Sequence, residues 1–166
     1  HLQVKDRLLR TGDPVDELVG KTVSGRRLNA YNSLENDSIA PNSVSNLAVG
    51  PDATGPLTPL ASISLELEWT APGDDGATGT ANYYDLRYST QPITDDVTFS
   101  DALQAAGLSR PSISGSSEST TVSGLNPETT YYFALKTADN AGNYSSISNN
   151  TSGKTGAVFV LFEDNA

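Results

Sequence analysis

The sequence predicts a mainly β protein, an antiparallel β-sandwich preceded by a short helical segment. Two stretches, residues 63–70 and 84–89, alternate apolar and polar side chains, which is the period-two pattern of half-buried strands. The residues between them are mostly turn formers, so the chain must reverse there. A third alternating run covers residues 131–138. Three alternating runs separated by turns favour a sandwich.

The totals exclude several classes of function. The 166 residues carry a formal net charge of −10, which disfavours nucleic acid and anionic membranes as partners, and no apolar run predicts membrane insertion. The chain has no cysteine, so disulfides and thiolate metal sites are excluded. Its single histidine is His1, so a Ser-His-Asp triad has no positioned base and a zinc or iron site lacks ligands. We therefore predict no catalytic residue and no cofactor in this chain.

The charge is unevenly distributed and predicts a domain boundary. Residues 1–40 hold six basic and six acidic side chains, whereas residues 41–166 hold four and fourteen. The predicted domains are a helical segment (residues 1–36), a linker (37–43), the sandwich (44–155) and the start of a further truncated domain (156–166). The last of these begins with an apolar run that is alternatively an extra strand of the sandwich. Since the chain contains no methionine, we expect it to be a processed or excised piece.

Residues 1–36 are predicted to form two short helices around a loop. In the first helix Val4 and Leu8 lie four residues apart, and the second is predicted to begin at Arg26. Helices this short are not stable alone in water. We expect the segment to pack poorly on the sandwich and to keep four leucines exposed: Leu8, Leu9, Leu28 and Leu34.

The sandwich is predicted to contain seven strands. The ranges expected for its shorter strands are 44–49, 120–123 and 145–154. The predicted core consists of the inward positions of the alternating runs, in which Trp69, Tyr88 and Tyr131 are the anchors: Trp69, Leu86, Tyr88, Tyr131, Phe133 and Leu135. Residues 90–119 are predicted to be a long irregular connection, in which Phe99, Leu103 and Leu108 pack against the sandwich.

Two surface features are candidates for binding. Asp74 and Asp75 supply carboxylate oxygens, which calcium prefers, but their stretch Gly-Asp-Asp-Gly lacks the alternating acids of an EF-hand loop. The alternative is that these residues only make a turn. Tyr83 and Tyr132 are predicted to point outward from one sheet, where they either bind a sugar or a peptide or act as cross-strand partners.

Charged residues are predicted on the same outer face. Asp85 and Arg87 alternate with inward positions on one strand, and Lys136 does so on another. We expect them to be solvated ion pairs of small energetic weight.

The two longest alternating regions resemble a known family. Residues 63–89 resemble the B and C strands of a fibronectin type III domain, in the form common in bacterial secreted proteins. Leu125, Pro127 and Tyr131 match the Leu-x-Pro-x-x-x-Tyr pattern of its E–F corner. The resemblance covers roughly residues 41–155. It implies an immunoglobulin-like sandwich, a secreted or extracellular location, and a corner tyrosine whose hydroxyl bonds nearby backbone.

A second resemblance covers residues 4–34, which are similar to the C-terminal end of a subtilisin-like (S8) serine protease domain. The matching residues follow that family's order and spacing: Thr11, Asp13, Leu18, Gly20, Lys21, Gly25, Leu28, Asn29, Ala30, Tyr31 and Leu34. Arg26 and Arg27 stand where a second glycine is common. The alternative is a pair of generic amphipathic helices.

This second resemblance implies a function for the parent protein. The parent would be a secreted serine endopeptidase whose catalytic residues lie upstream of His1, and the upstream catalytic domain would be the partner of this chain. The sandwich would then be a spacer, a unit that docks protein substrate, or an anchor to a cell-surface polymer. The alternative is an extracellular adhesion or carbohydrate-associated module unrelated to a protease.

Overall fold

The structure is a computed structural model that describes residues 37–50 and 63–157 and, in addition, the backbone of Asp13–Pro14 and Arg26–Arg27. The chain divides into two units, His1–Ser38 and Ile39–Ala166. In the described part of the chain, no helix is long and apolar enough to cross a membrane.

In the first unit, β1 (Asp13–Pro14) pairs antiparallel with β2 (Arg26–Arg27), with Asp13 opposite Arg27. The prediction that a helix begins at Arg26 is therefore wrong, because the two arginines extend along a partner strand. The four leucines that we expect to be exposed lie outside the described residues. So does most of the segment predicted to begin a further domain.

The second unit is a two-sheet antiparallel sandwich, which confirms the predicted fold class. The first sheet has the order β3-β4-β7, in which the strands are β3 (Ala48–Val49), β4 (Leu65–Thr70) and β7 (Ser117–Val122). The second sheet has the order β6-β5-β8-β9, in which they are β5 (Tyr83–Ser89), β6 (Leu103–Gln104), β8 (Thr130–Ala138) and β9 (Thr151–Lys154). The described residues of this unit thus contain seven strands, as predicted.

Several strand limits differ from the prediction. The strand predicted at 44–49 is reduced to the two residues of β3. The strand predicted at 120–123 is β7, which begins at Ser117, and β9 begins six residues later than predicted. The segment before β9 still follows β8, but serine hydroxyls replace part of the backbone ladder. The hydroxyl of Ser148 accepts the Leu135 N–H at 2.9 Å, and that of Ser145 accepts the Thr137 N–H at 3.0 Å.

The core between the sheets follows the predicted alternation. On β4, Leu65, Leu67 and Trp69 are buried while the intervening side chains are exposed. Pairing of β5 with β8 places Leu86 opposite Leu135 and brings both into the same core. The predicted core residues are confirmed as buried, except that Tyr88 is half-buried against the cluster: Trp69, Leu86, Tyr131, Phe133 and Leu135.

The connection that we predicted to be irregular contains a helix, α1 (Asp96–Asp101), and the edge strand β6. Asp95 caps α1, since its carboxylate accepts the Thr98 N–H at 2.8 Å. Phe99 is buried and Leu108 packs against the core, as predicted. The prediction that Leu103 packs against the sandwich is wrong, because this residue lies on the edge strand and is 64% exposed.

Candidate functional site

The outer face of the β5–β8 pair carries most of the residues singled out from the sequence. Since side chains alternate along a strand, the residues on either side of the inward Leu86 point away from the core. On β5 they begin with Tyr83, and on β8 they include Tyr132 and Lys136. The register therefore decides which of these side chains meet.

Tyr83 and Tyr132 share this face but lie at opposite ends of it. Tyr83 is opposite Ala138, whereas Tyr132 is opposite Ser89. Six strand residues separate the two ends, which corresponds to about 20 Å along the sheet. The two rings do not form one platform, and binding by either stays a prediction.

The neighbour of Tyr83 is Tyr144, a residue that the sequence did not single out. The two rings meet edge to face, with centroids 5.9 Å apart and an interplanar angle of 87°. Their hydroxyls are in hydrogen-bond contact. This bond from Tyr144, followed by partial burial, raises the pKa of Tyr83 from 10.0 to about 12. Both side chains stay accessible, at 39% exposure for Tyr83 and 49% for Tyr144.

A tight turn brings Tyr144 to this position. The buried carboxylate of Asp139 accepts the N–H groups of Ala141 and Asn143, both at 2.8 Å, and the Asn143 side-chain amide at 2.7 Å. Tyr144 then forms an antiparallel bridge with Ala138, the residue that faces Tyr83 across the ladder. An Asp at the start of such a turn and an Asn near its end are the sequence signal for this geometry.

The centre of the outer face is covered by α1. Phe99 inserts there with Ile93, Ala102 and Ala134 to form a second buried cluster. The guanidinium of Arg87 lies 5.2 Å from the centroid of the Phe99 ring, and the Lys136 ammonium lies 5.1 Å from it. Two cations thus contact one aromatic ring.

The prediction of a solvated pair is wrong for Asp85 and Arg87, whose side chains are largely covered. Asp85 is only 9% exposed, and Arg87 Nε donates to its carboxylate at 3.0 Å. Lys136 Nζ contacts the Asp96 carboxylate at 2.7 Å, and the Asp96 side chain is 79% exposed, so this pair is partly solvated. In an isolated sheet, Asp85 and Arg87 would lie in water, but the segment that contains α1 covers them. The alternation pattern alone does not predict this cover.

Arg87 also closes the end of α1. Its Nη1 donates to the carbonyl oxygens of Ser100 at 3.0 Å and Ala102 at 3.4 Å. Carbonyls at a helix end have no partner within the helix and carry partial negative charge, so a guanidinium stabilises them. Arg87 thereby links β5, α1 and the Asp85 carboxylate. We assign this cluster a structural role.

A third feature lies at the turn before β8. Tyr131 is buried, and its hydroxyl accepts the backbone N–H of Asn126 at 3.0 Å. Leu125 is buried beside it, and Thr155 donates its hydroxyl to the Asn126 carbonyl at 2.6 Å. This is the corner that the Leu-x-Pro-x-x-x-Tyr pattern implied.

Sequence comparison identifies the fold family. The family model described as "Fibronectin type III domain" matches residues 56–154, which is more than half of the chain. The chain belongs to the fibronectin type III family. In that family's nomenclature, the seven sandwich strands β3 to β9 are, in chain order, A, B, C, C′, E, F and G. Such domains are typically extracellular or surface-associated.

Several solved structures are similar to the chain at low sequence identity. An Fn3-like protein from Clostridium thermocellum is 18% identical, with a TM-score of 0.40, and the match covers 68% of this chain and 88% of that one. The sensor domain of the anti-sigma factor RsgI4 from Pseudobacteroides cellulosolvens is also 18% identical, with a TM-score of 0.40 and coverages of 74% and 99%. No curated protein is detectably similar to the chain in sequence.

One similar structure is much longer than the match. The chicken CNTN1 FN1-FN3 domains are 15% identical, with a TM-score of 0.48, and the match covers 70% of this chain but 33% of that one. The chain therefore spans about a third of that multidomain structure.

The candidate calcium residues lie in the B–C turn of the fibronectin type III domain. The N–H groups of Asp74 and Asp75 both donate to the Thr78 carbonyl, at 2.7 and 3.1 Å. A Cβ at Gly73 would lie 2.2 Å from Thr78 N, so glycine is required there. Gly76 has φ of 62°, which also favours glycine. The turn thus needs its glycines for backbone reasons.

The carboxylates of Asp74 and Asp75 are half-buried, and one oxygen from each lies within 4.8 Å of the other. Acidic groups at this spacing are common without a bound cation. The prediction that these residues only make a turn therefore stays a prediction, with calcium binding as its alternative.

Proposed function

We propose that this chain is a non-catalytic segment of a secreted subtilisin-like serine endopeptidase and that its fibronectin type III domain is a spacer. The domain would set the distance between the parts of the parent protein that flank it. The observation that carries the spacer role is the position of the two ends of the domain.

The chain enters and leaves the sandwich at opposite ends. At the entry, the Gly76 N–H of the B–C turn donates to the Ala40 carbonyl at 3.1 Å. At the exit, the Glu128 N–H of the E–F turn donates to the Gly156 carbonyl at 3.1 Å. The six-residue strand β4 runs from the E–F end to the B–C end, a length of about 20 Å. A domain with this arrangement separates its neighbours along its long axis.

Hydrogen bonds attach both ends to the sandwich, which a spacer requires. The Asn42 N–H donates to the Gly76 carbonyl, and the Thr155 N–H donates to the Thr129 carbonyl at 3.0 Å. The Asn149 side chain also binds the backbone of Leu47 through both its oxygen and its nitrogen. A load or a rotation applied to either end would therefore be transmitted to the sandwich.

The protease assignment rests on the N-terminal residues. The S8-like pattern places its Gly, Lys, Asn and Tyr residues in the order and spacing of a subtilisin-like C-terminal end, as given above. The family match to the sandwich begins only at residue 56, so it leaves this pattern untouched. The serine chemistry would belong to the upstream domain, because a serine needs an adjacent base and the only histidine here is His1.

The coding sequence upstream of His1 tests the protease assignment. We expect it to encode a Gly-Thr-Ser-Met-Ala type motif with the nucleophilic serine, a few tens of residues before His1. An upstream region without such a motif would contradict the assignment and would leave the spacer proposal standing.

Domain replacement in the parent protein tests the spacer role. One variant lacks residues 41–155, a second carries an unrelated sandwich with ends at opposite poles, and a third carries a flexible Gly/Ser linker. We expect all of them to cleave small peptides, and only the parent and the sandwich replacement to cleave bulky or insoluble protein fully. Loss of that cleavage in the sandwich replacement would show substrate docking by this domain instead.

The exposed Tyr83–Tyr144 pair favours a second candidate, an adhesion or carbohydrate-associated module. Aromatic rings at a domain surface stack on sugar rings. Sedimentation of the chain with insoluble polysaccharide, compared between the wild type and Tyr144→Ala, tests it. Equal sedimentation of both proteins would remove this candidate.

A further inference from the structure

We propose that Tyr83 and Tyr144 form an oxidative cross-linking site, at which hydrogen peroxide and a haem peroxidase join the two phenol rings into an intramolecular dityrosine bridge. The bridge would connect the start of β5 to the turn between β8 and β9. This proposal does not depend on the proposed function, since it concerns only the chemistry of the pair.

The two phenols are already in contact. Their hydroxyls are hydrogen-bonded and their ring centroids lie 5.9 Å apart, although the residues are 61 positions apart in sequence. Each hydroxyl carbon is bonded to the ring carbons that couple in dityrosine. The coupling carbons of each ring are therefore two bonds from a hydroxyl oxygen that is already in contact with the other phenol.

The backbone maintains this contact. Tyr83 pairs with Ala138 on one side, and Tyr144 bridges the same Ala138. The three hydrogen bonds accepted by the Asp139 carboxylate fix the turn between them. Because the partners are held together, coupling is unimolecular and does not require an encounter of two protein molecules.

Exposure distinguishes this pair from another tyrosine pair at the same distance. Tyr88 and Tyr131 have ring centroids 6.0 Å apart, but Tyr131 is only 6% exposed and its hydroxyl accepts a backbone N–H. Tyr83 and Tyr144 are the most exposed tyrosines among the described residues. An oxidant in solution therefore reaches this pair before the other tyrosines that the structure describes.

The reaction balances with peroxide as the only oxidant. Each phenol loses one electron and one proton to give a phenoxyl radical, whose unpaired electron is shared with the ring carbons next to the oxygen. A carbon–carbon bond forms between one such carbon of each ring, and the hydrogens on these carbons move to the oxygens to restore two phenols. Hydrogen peroxide accepts the two electrons and two protons and becomes two water molecules.

Peroxidase treatment of the full chain tests the proposal. We expect the monomer to lose two hydrogen atoms in mass and to gain dityrosine fluorescence, with a yield per molecule that dilution does not change. Peptide mapping should join the peptide that contains Tyr83 to the one that contains Tyr144. Tyr83→Phe and Tyr144→Phe should each abolish the monomeric product, and both keep the ring packing.

Tyr88→Phe is the matched control, since it removes a phenol from the less exposed pair, Tyr88 and Tyr131, and should leave the product unchanged. Three results would overturn the proposal. One is a monomer that keeps its mass while dimers accumulate, which would show that coupling occurs only between molecules. The others are a monomeric cross-link that persists in Tyr144→Phe, and one that maps to Tyr88 and Tyr131.

Discussion

Strands β5 and β8 support two cores of different chemistry, one on each face of the same ladder. The inner core is apolar and continuous, and it lies between two sheets around Trp69 and Phe133. The outer core is small and is built around Phe99, with two cations on its ring and a buried carboxylate beside it. One pairing register positions both.

The difference shows how each core is stabilised. The inner core gains from apolar burial, which depends on area and is non-directional. The outer core depends on directed contacts of Arg87 and Lys136, which charged hydrogen bonds and cation–π geometry constrain. We therefore expect the inner core to determine global stability and the outer core to open locally.

The largest effect is expected from Trp69→Ala, which empties the largest position of the inner core. It should lower the free energy of unfolding by about 3–5 kcal/mol. Denaturant unfolding measures this. The matched control is Leu103→Ala at an exposed position, which should stay within about 0.5 kcal/mol of the wild type. A loss of less than about 0.5 kcal/mol in Trp69→Ala would contradict the assignment of the inner core.

Phe99→Ala should cost less, about 3 kcal/mol at the low end of the usual range for Phe→Ala, because the connection that carries α1 can detach while the inner core stays closed. Amides of α1 should exchange faster in this variant, whereas those of β4 should shift only with global stability. A cost equal to that of Trp69→Ala, with all amides affected alike, would show that the two cores are one cooperative unit.

Tyr131→Phe tests the edge of the inner core at the E–F corner. It removes the hydroxyl oxygen that accepts the Asn126 N–H and keeps the ring, so the expected loss is about 1 kcal/mol. Thermal or denaturant unfolding gives the value. The matched control is Tyr132→Phe, which removes a hydroxyl from the outer face and keeps the corner bond of Tyr131. Equal effects of the two substitutions would argue against a contribution from the corner bond.

The smallest effect concerns Tyr83 at the outer face. Its folded pKa of about 12 exceeds its ordinary value of 10.0, so folding favours the protonated phenol. This contribution is complete below about pH 10 and is lost as the pH rises through about 12. The fall in stability across that window should be shallower in Tyr83→Phe than in the wild type. Identical pH profiles for the two proteins would contradict the pKa shift.

The inner core was predictable from the sequence because it follows local periodicity. Period-two alternation in β4, β5 and β8 assigns each side chain to one face without any knowledge of the partner strand. The corner at Tyr131 was also predictable, through the resemblance to the family whose pattern its leucine, proline and tyrosine match. These features need only neighbouring residues, so one sequence suffices.

The outer core and the tyrosine pair were not predictable in the same way. Helix α1 has only six residues, and Thr98 occupies the capping-box position that Glu or Gln usually takes. Phe99 meets Arg87 and Lys136 only after the β5–β8 register is formed. Tyr144 reaches Tyr83 because the Asp139 turn has one particular shape. Such contacts depend on tertiary pairing, and local patterns do not encode them.

Native-state amide hydrogen exchange of the wild-type chain tests the account of two cores most directly. The amides of β4 and β8 should exchange only through global unfolding, with the full denaturant dependence of that transition. The amides of α1 should exchange through a local opening with a lower free energy and a smaller denaturant dependence. Equal free energies and equal denaturant dependence for both sets of amides would contradict the account.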